Sequence, residues 1–354
     1  MTRLIPHQYV ERPTRRVVTE KIFGDRLINA VYGLTNETPG HMFRLLTSPR
    51  LTDAIGFLVY DVCPPGSGRR VRRAAERMGV NLSECLEPAE ALSSMRNLFQ
   101  RKIRYWIYRP MDPDPRTVVS PADARVIIGD MPAALGLPIK EKFFNADELI
   151  GDRGSWRAAF AGGTYALFRL TPDKYHYNHV PVSGIVLDRY AVDGYCCSCN
   201  PGAVVKLVTS HSKNRRVVTI IDTDVADGSG IGLVAMVEVV AMMIGRVEQC
   251  YSEERYDHPV DVCPGMFLKR GRPKSLYYPG SSTDVLLFQK GRIGFCEDLI
   301  QNRDRSDVTS RYSVGFGRPL VETDVRVRSL IARAIPFPDG RRPNGPTDNQ
   351  KASE

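Results

Sequence analysis

The stretch PGSSTDVLLFQKG, Pro279 to Gly291, sets a Gly-Ser-Ser-Thr turn directly before an apolar run of the kind that forms a buried strand. Gly280 is followed by two adjacent hydroxyls, Ser281 and Ser282. A Gly-Ser step can serve as a loop, a phosphate cradle or a backbone bond that the protein itself cuts, and the rest of the chain has to discriminate among these. Working outward, VSGIVLDRYAV, AVVKLVTS (Ala203 to Ser210), RVVTIIDTDV, GIGLVAMVEVVAMMIGRVEQC and DVRVRSLIA are short β-branched runs separated by Gly, Pro, Asp and Asn, and read as strands. GSGIGLV, Gly228 to Val234, lacks a second helix-opening glycine and the following amphipathic helix of a dinucleotide loop and reads as a β-turn. From about Gly24 to Arg104, apolar residues three and four apart in LTDAIGFLVYDV and PAEALSSMRNLFQRKIRYW predict helices, with Pro88 suited to a first turn.

The fold class expected is therefore α+β: a helical N-terminal region, residues 1–104, packed on a β-rich, largely antiparallel catalytic domain, residues 105–335, with a disordered tail over 336–354. A chain of 354 residues with 42% hydrophobic and 25% charged residues has the composition of a globular protein. No run approaches the roughly 18 apolar residues of a membrane span, and MTRLIPHQYVERPTRR has no apolar leader core, so a cytoplasmic location is expected. The net charge of +9 favours anionic partners. Arg69, Arg70, Arg72, Arg73, Arg77, Arg96, Arg101, Lys102 and Arg104 lie close to apolar positions, which fits either a solvated basic face or peripheral association with an anionic membrane surface. Nucleic acid is not expected, because the arginines are not interleaved with a stacking or groove-reading motif. Cys196, Cys197 and Cys199 are adjacent or one apart rather than in paired C-x2-C units, so no metal is expected and the eight cysteines read as reduced.

Three stretches far apart in sequence supply an acid, imidazoles and a hydroxyl: VVSPADARV with Asp123, LTPDKYHYNHVPVSG with His176 and His179, and PGSSTDVLLFQKG with Ser281 and Ser282. Each alone is weak, since an Asp after Pro-Ala is usually a turn former and a lone His is usually structural. Together they match nucleophile, base and orienter, in which an imidazole takes a hydroxyl proton while a carboxylate fixes its tautomer.

With these residues in place, the chain resembles the phosphatidylserine decarboxylases. SPADARV is similar to that family's Ser-Pro-Ala-Asp-Gly-Arg-Val, YHYNHVPVSG to its Tyr-His-Arg-x-His-x-Pro-x-x-Gly, and GSSTDVLLFQKG to its Gly-Ser-Thr-Val-x-Leu-Phe-x-Lys-Gly. CNPGAV, KNRRVVTII and VAMVEVVAMMIGRVE follow the same order, so the likeness runs from about Leu98 to Ala334. The resemblance implies self-processing. A serine hydroxyl attacks the carbonyl before it, the resulting ester breaks by β-elimination, and the dehydroalanine hydrolyses to a pyruvoyl cofactor heading the smaller chain, which stays with its partner chain. It further implies that His179 is the base, that Asp123 orients it, and that His176 lies nearer the substrate. The pyruvoyl carbonyl would form a Schiff base with the amine of phosphatidylserine and accept the electrons released with CO2.

Strand register, STDVLLF on the family's Ser-Thr-Val-x-Leu-Leu-Phe, makes Ser282 the pyruvoyl precursor, whereas matching Gly-Ser directly selects Ser281. Ala124 and Arg215 stand where the family pattern has glycine and glutamate. Those departures keep two alternatives open: the same chemistry on a free aromatic amino acid such as tryptophan, and a non-processing lipid-binding homologue. A homo-oligomer is compatible with all three readings.

Overall fold

Two-residue alternation governs most of the chain beyond Arg116, and it sorts the apolar side chains into two separate layers. The computed structural model describes residues 5–22, 25, 60, 67–131, 143–206, 209–243 and 246–336. Among these the strands are β1 (Gln8–Glu11), β2 (Val17–Thr19), β3 (Thr117–Val119), β4 (Ala124–Asp130), β5 (Thr164–Leu170), β6 (Tyr177–His179), β7 (Gly184–Val192) and β8 (Arg216–Asp222). They continue with β9 (Leu233–Met243), β10 (Val247–Gln249), β11 (Phe267–Leu268), β12 (Pro273–Tyr277), β13 (Gly280–Phe288), β14 (Ile293–Phe295), β15 (Glu322–Val325) and β16 (Leu330–Ala334). One ten-stranded sheet has the order β11-β7-β8-β9-β13-β5-β4-β15-β1-β2, and two three-stranded sheets have the orders β10-β12-β6 and β14-β16-β3. Every pairing is antiparallel except β1 with β15. The α+β, largely antiparallel class is as expected, but residues 1–104 are not simply a helical region: β1 and β2 complete one edge of the large sheet, because β1 pairs with β15.

The large sheet is covered on both faces, which is why its central strands read as nearly unbroken apolar runs. Leu286 and Phe288 of β13, Ala166 and Phe168 of β5 and Met236 of β9 pack toward the small sheets, with Tyr277, Ile293 and Ile331. Val285, Leu287, Leu167 and Val237 face the other way, onto the helical segments that carry Leu149, Phe160 and Phe316. The Gly228–Gly232 segment turns between β8 and β9 as expected, with Gly230 and Gly232 at φ +66° and +78°.

Three features depart from the sequence reading or lie beyond it. Ala203–Ser210, read as a strand, instead carries parts of the helices Pro201–Val204 and Ser210–Lys213. Asn200 accepts from the Gly202 N–H at 2.7 Å and Pro201 occupies the first turn, a helix start that outweighs the β-branched residues after it. The helix expected in LTDAIGFLVYDV, apart from Tyr60, and the tail from Phe337 onward lie outside the described residues. PAEALSSMRNLFQRKIRYW is helical only in pieces: Ala89–Ala91, Met95–Phe99 and Tyr105–Tyr108. Helix Ser67–Met78 buries Val71 and Ala75 against Leu92 and Leu98 and turns Arg69, Arg70, Arg73 and Arg77 outward.

Candidate active site

Backbone hydrogen bonds between distant motifs assemble the site. The His179 N–H donates to the Pro121 carbonyl at 2.7 Å and the Val119 N–H to the Pro181 carbonyl at 3.0 Å, which binds the SPAD turn to the His strand β6. β6 pairs with β12, placing His179 opposite Pro273, and the Tyr277 N–H donates to the His176 carbonyl at 3.1 Å. After Tyr277 the chain passes through Tyr278 and Pro279 into β13. The register breaks between Gly280 and Ser282, so this β-bulge falls on the Gly-Ser-Ser step. From Ser282 on, β13 is paired on both sides, with Leu170 of β5 and Val240 of β9 opposite Ser282. Ser282 is 1% exposed. Ser281 shares the strand, and its side chain lies outside the described residues.

Both histidines are buried and neutral. His179 donates from Nδ1 to the Gly271 carbonyl at 3.0 Å, because a carbonyl can only accept, leaving Nε2 as the lone-pair nitrogen, 3.0 Å from the Tyr175 hydroxyl. Burial pulls its pKa down to about 3, against the Gly271 hydrogen bond and with help from the charge of Arg328. Tyr175 reaches Tyr256 at 2.7 Å, and Tyr256 reaches the Ile103 carbonyl at 2.8 Å. This string of four contacts holds three protons when His179 is neutral, so a proton arriving at Nε2 completes it. His176 donates from Nδ1 to the Lys174 carbonyl at 2.8 Å and stacks on Phe99 with ring centres 3.5 Å apart. Its Nε2 is buried with no hydrogen-bond partner among the described residues, and burial pushes its pKa well below that of a free imidazole.

Asp123 ends the SPAD turn immediately before β4. Burial alone would raise its pKa, but two hydrogen bonds from Arg109, at 3.0 and 2.7 Å, and one from the Val327 N–H at 2.7 Å hold it below the usual carboxylate range. Arg109 also pairs with Glu84 at 2.8 Å. The structure thus brings Asp123, His176 and His179 into one buried cluster, while the Asp123 oxygens go to Arg109 and Val327 and the His179 nitrogens to Gly271 and Tyr175.

Sequence reading missed a second polar group beneath Ser282. Asp284 lies two residues on, hence on the same face of β13, and opposite Glu238 of β9. Glu238 is held by Lys274 at 2.7 Å, by Gln249 at 2.9 Å and by Ser275. Asp284 accepts from the Tyr277 hydroxyl at 2.8 Å, and its Oδ2 has no partner among the described residues. Burial, and then the charge of Glu238, push the Asp284 pKa well above the carboxylate range, so it holds a proton. The available signal was an acid inside the apolar run STDVLLF. On the opposite face, His7, Glu20 and Glu322 come close enough to hold a metal ion, but Arg125 and Arg169 already pair with those carboxylates, which makes this cluster an ion-pair network. Cys196, Cys197 and Cys199 are buried thiols.

Comparison with known proteins places this arrangement. The phosphatidylserine decarboxylase family matches residues 95–317. A phosphatidylserine decarboxylase proenzyme of Fusobacterium nucleatum is 24% identical over 306 residues, covering 86% of this chain and 95% of that protein. That of Ruminiclostridium cellulolyticum is 27% identical over 296 residues, 83% of this chain and 91% of its own. One from Chlamydia trachomatis is 31% identical over 220 residues, 62% and 67% of the two chains. The chain belongs to the phosphatidylserine decarboxylase family, and its activity class is carboxy-lyase.

Proposed function

We propose that the chain is a self-processing, pyruvoyl-dependent decarboxylase that converts phosphatidylserine to phosphatidylethanolamine at a membrane surface. One observation carries the reading: Ser282 is the first residue past the bulge of β13, buried and paired on both sides, which favours the strand-register assignment over Ser281. A hydroxyl fixed at the start of a strand and a flexible glycine at the bulge suit attack on the preceding carbonyl. A pyruvoyl group made from Ser282 would need a polar contact, and His176 offers a buried Nε2 that has no hydrogen-bond partner among the described residues. That group supplies a carbonyl that condenses with the substrate amine and a sink for the electron pair freed as CO2 leaves.

The residues of the chain do the rest. His179 takes the serine proton on Nε2, and the Tyr175–Tyr256 string accommodates the proton by reversing its hydroxyls. Asp123 keeps a negative charge in the cluster that favours the imidazolium, while its hold on Arg109 and Val327 fixes the SPAD turn on which His179 leans. His176 offers its free nitrogen on the substrate side. The outward arginines of Ser67–Met78 suit reversible contact with anionic lipid, each cation contributing about 1 kcal/mol near such a surface. No helix among the described residues is long and apolar enough to cross a membrane.

Denaturing electrophoresis and mass spectrometry of fresh enzyme test this reading. The expected result is two chains, the smaller one starting at residue 282 with a blocked N-terminus. A single 39.6 kDa chain in active protein, or a free serine amine on the smaller chain, refutes it. Parallel assays on phosphatidylserine vesicles and on free tryptophan separate the lipid substrate from a soluble one.

A further inference from the structure

A cleft of about 320 Å³ near His179 is lined by Tyr105, Trp106, Gly271, Arg270, Arg272 and Arg328, among others. It shares two walls with the histidine: the Gly271 carbonyl that holds Nδ1, and the Tyr105 ring, which meets the imidazole edge-on at 4.6 Å. The cleft is half open to solvent, and its lining is strongly basic. Arg270 donates to the Asp112 carbonyl at 2.8 Å and to Thr117, and Arg328 to the Tyr105 carbonyl at 3.1 Å. None of Arg270, Arg272 and Arg328 makes an ion pair among the described residues, and Arg328 Nε is buried without a hydrogen-bond partner there. Burial, followed by the charges of Arg272 and Arg270, depresses the Arg328 pKa, so the cations repel one another. The backbone is adapted to this crowding. Gly271 sits at φ +75°, and a Cβ there would come within 2.4 Å of Met111 Sδ and 3.2 Å of Arg328 Nε. Arg328 itself is at φ +69°, an unfavourable region for a side-chain-bearing residue.

Three guanidinium groups without an ion pair among the described residues, Arg270 with the charges of Asp112 and Asp114 farther off and Arg328 over the Tyr105 ring at 5.1 Å, can turn their planar forks to the oxygens of a tetrahedral oxyanion. We propose that this cleft is a phosphate-binding site, lined by Arg270, Arg272 and Arg328. Its ligand chemistry is shared by a phospholipid headgroup and free phosphate. Ile107, 59% exposed, belongs to the same short helix as the lining residues Tyr105 and Trp106, and an exposed apolar side chain so near in the chain favours the lipid source. The inference needs neither self-cleavage nor decarboxylation.

The test uses the full chain and reads binding. At constant ionic strength, replacing chloride by inorganic phosphate should raise Tm in a saturating manner. Arg272→Ser and Arg328→Ser should each weaken the apparent affinity about tenfold, as expected for loss of a charge-assisted contact. Arg318→Ser, beside Tyr165 on the other face of the sheet, removes the same charge and should leave the affinity unchanged. Should Arg328→Ser fail to fold, Arg272→Ser carries the test, since Arg272 is half-buried and its side chain has no hydrogen bond among the described residues. Flotation with phosphatidylcholine vesicles, with and without phosphatidylserine, assigns the source. Binding that phosphate competes away and Arg272→Ser abolishes identifies a headgroup, whereas saturable phosphate binding with unaltered flotation identifies free phosphate. A phosphate response equal in wild type and Arg272→Ser, or lost equally in Arg318→Ser, overturns the site.

Discussion

Lys274→Met and Glu238→Gln remove opposite halves of one buried ion pair, and the structure requires them to have unequal effects. Both side chains are fully buried, with Nζ 2.7 Å from Oε2. Lys274→Met leaves Glu238 and the facing Asp284 with no cation, and breaking a buried pair this way costs about 3–5 kcal/mol. Glu238→Gln leaves the ammonium, but Asp284 is at hand, held protonated by burial and by Glu238 and acted on in the opposite sense by Lys274. Without Glu238 it can release its proton and become the counter-ion, while glutamine keeps the polar contacts to Ser275 and Gln249, so the cost falls to about 1–2 kcal/mol. A pH signature separates the two. In Lys274→Met the folded-state pKa of Glu238 rises above its unfolded value, so the penalty is full at pH 7 and fades as pH falls toward about 4, by about 1.4 kcal/mol per unit. Urea denaturation at pH 5 and 7, in a background with Ser281 and Ser282 both changed to alanine so that a single polypeptide unfolds, measures both effects. A Glu238→Gln loss equal to or above that of Lys274→Met at pH 7, or a Lys274→Met deficit identical at the two pH values, would refute the reasoning.

His179→Ala should leave a folded, uncut chain by gel and circular dichroism, while Asp123→Asn should both impair cutting and cost about 1–3 kcal/mol, because Asp123 also holds Arg109 and the Val327 N–H. His176, His179 and His211 are buried and neutral, the last two with pKa values pulled down to about 3 and about 4, so the stability they contribute is present above pH 6.5 and is lost as pH falls toward those values. His211→Leu should flatten that acid limb by up to about 1.4 kcal/mol per unit, read from Tm against pH. Brief alkylation of the native protein, mapped by peptide mass, should label exposed Cys263 ahead of Cys196, Cys197 and Cys199. Burial pushes Cys197 up to about 12 and Cys199 up to about 11, and rapid labelling of either would contradict the packing around β13.

What could be read from the sequence was what is local or repeated. β7, β8, β9 and β13 announce themselves by β-branched alternation, and the SPAD, YHYNH and GSSTD stretches carry their chemistry in neighbouring residues. Ala203–Ser210 misled because propensity was weighed without its cap, Asn200-Pro201. Arg109, which holds Asp123, sits in a stretch that reads only as a domain boundary, and its partner lies across a turn. Glu238, Lys274 and Asp284 are separated by strand pairings that no local pattern specifies. The same holds for Tyr9 of β1, which pairs in parallel with Glu322 from near the other end of the sheet-forming chain.

β13 lies fifth from one edge of the ten-stranded sheet and sixth from the other, hydrogen-bonded to both neighbours from Ser282 to Phe288. A cut before Ser282 would therefore create a new chain end already clamped in the interior, and neither fragment could leave without tearing the sheet in two. It would also make folding irreversible in an informational sense. The connection that threads β12 into β13 exists only in the uncut polypeptide, and two separated fragments would have to find a central strand slot by collision. Such a product persists by a high barrier to opening and should not regenerate from its unfolded pieces, so that the age of a preparation, and not its equilibrium, sets how much of it survives.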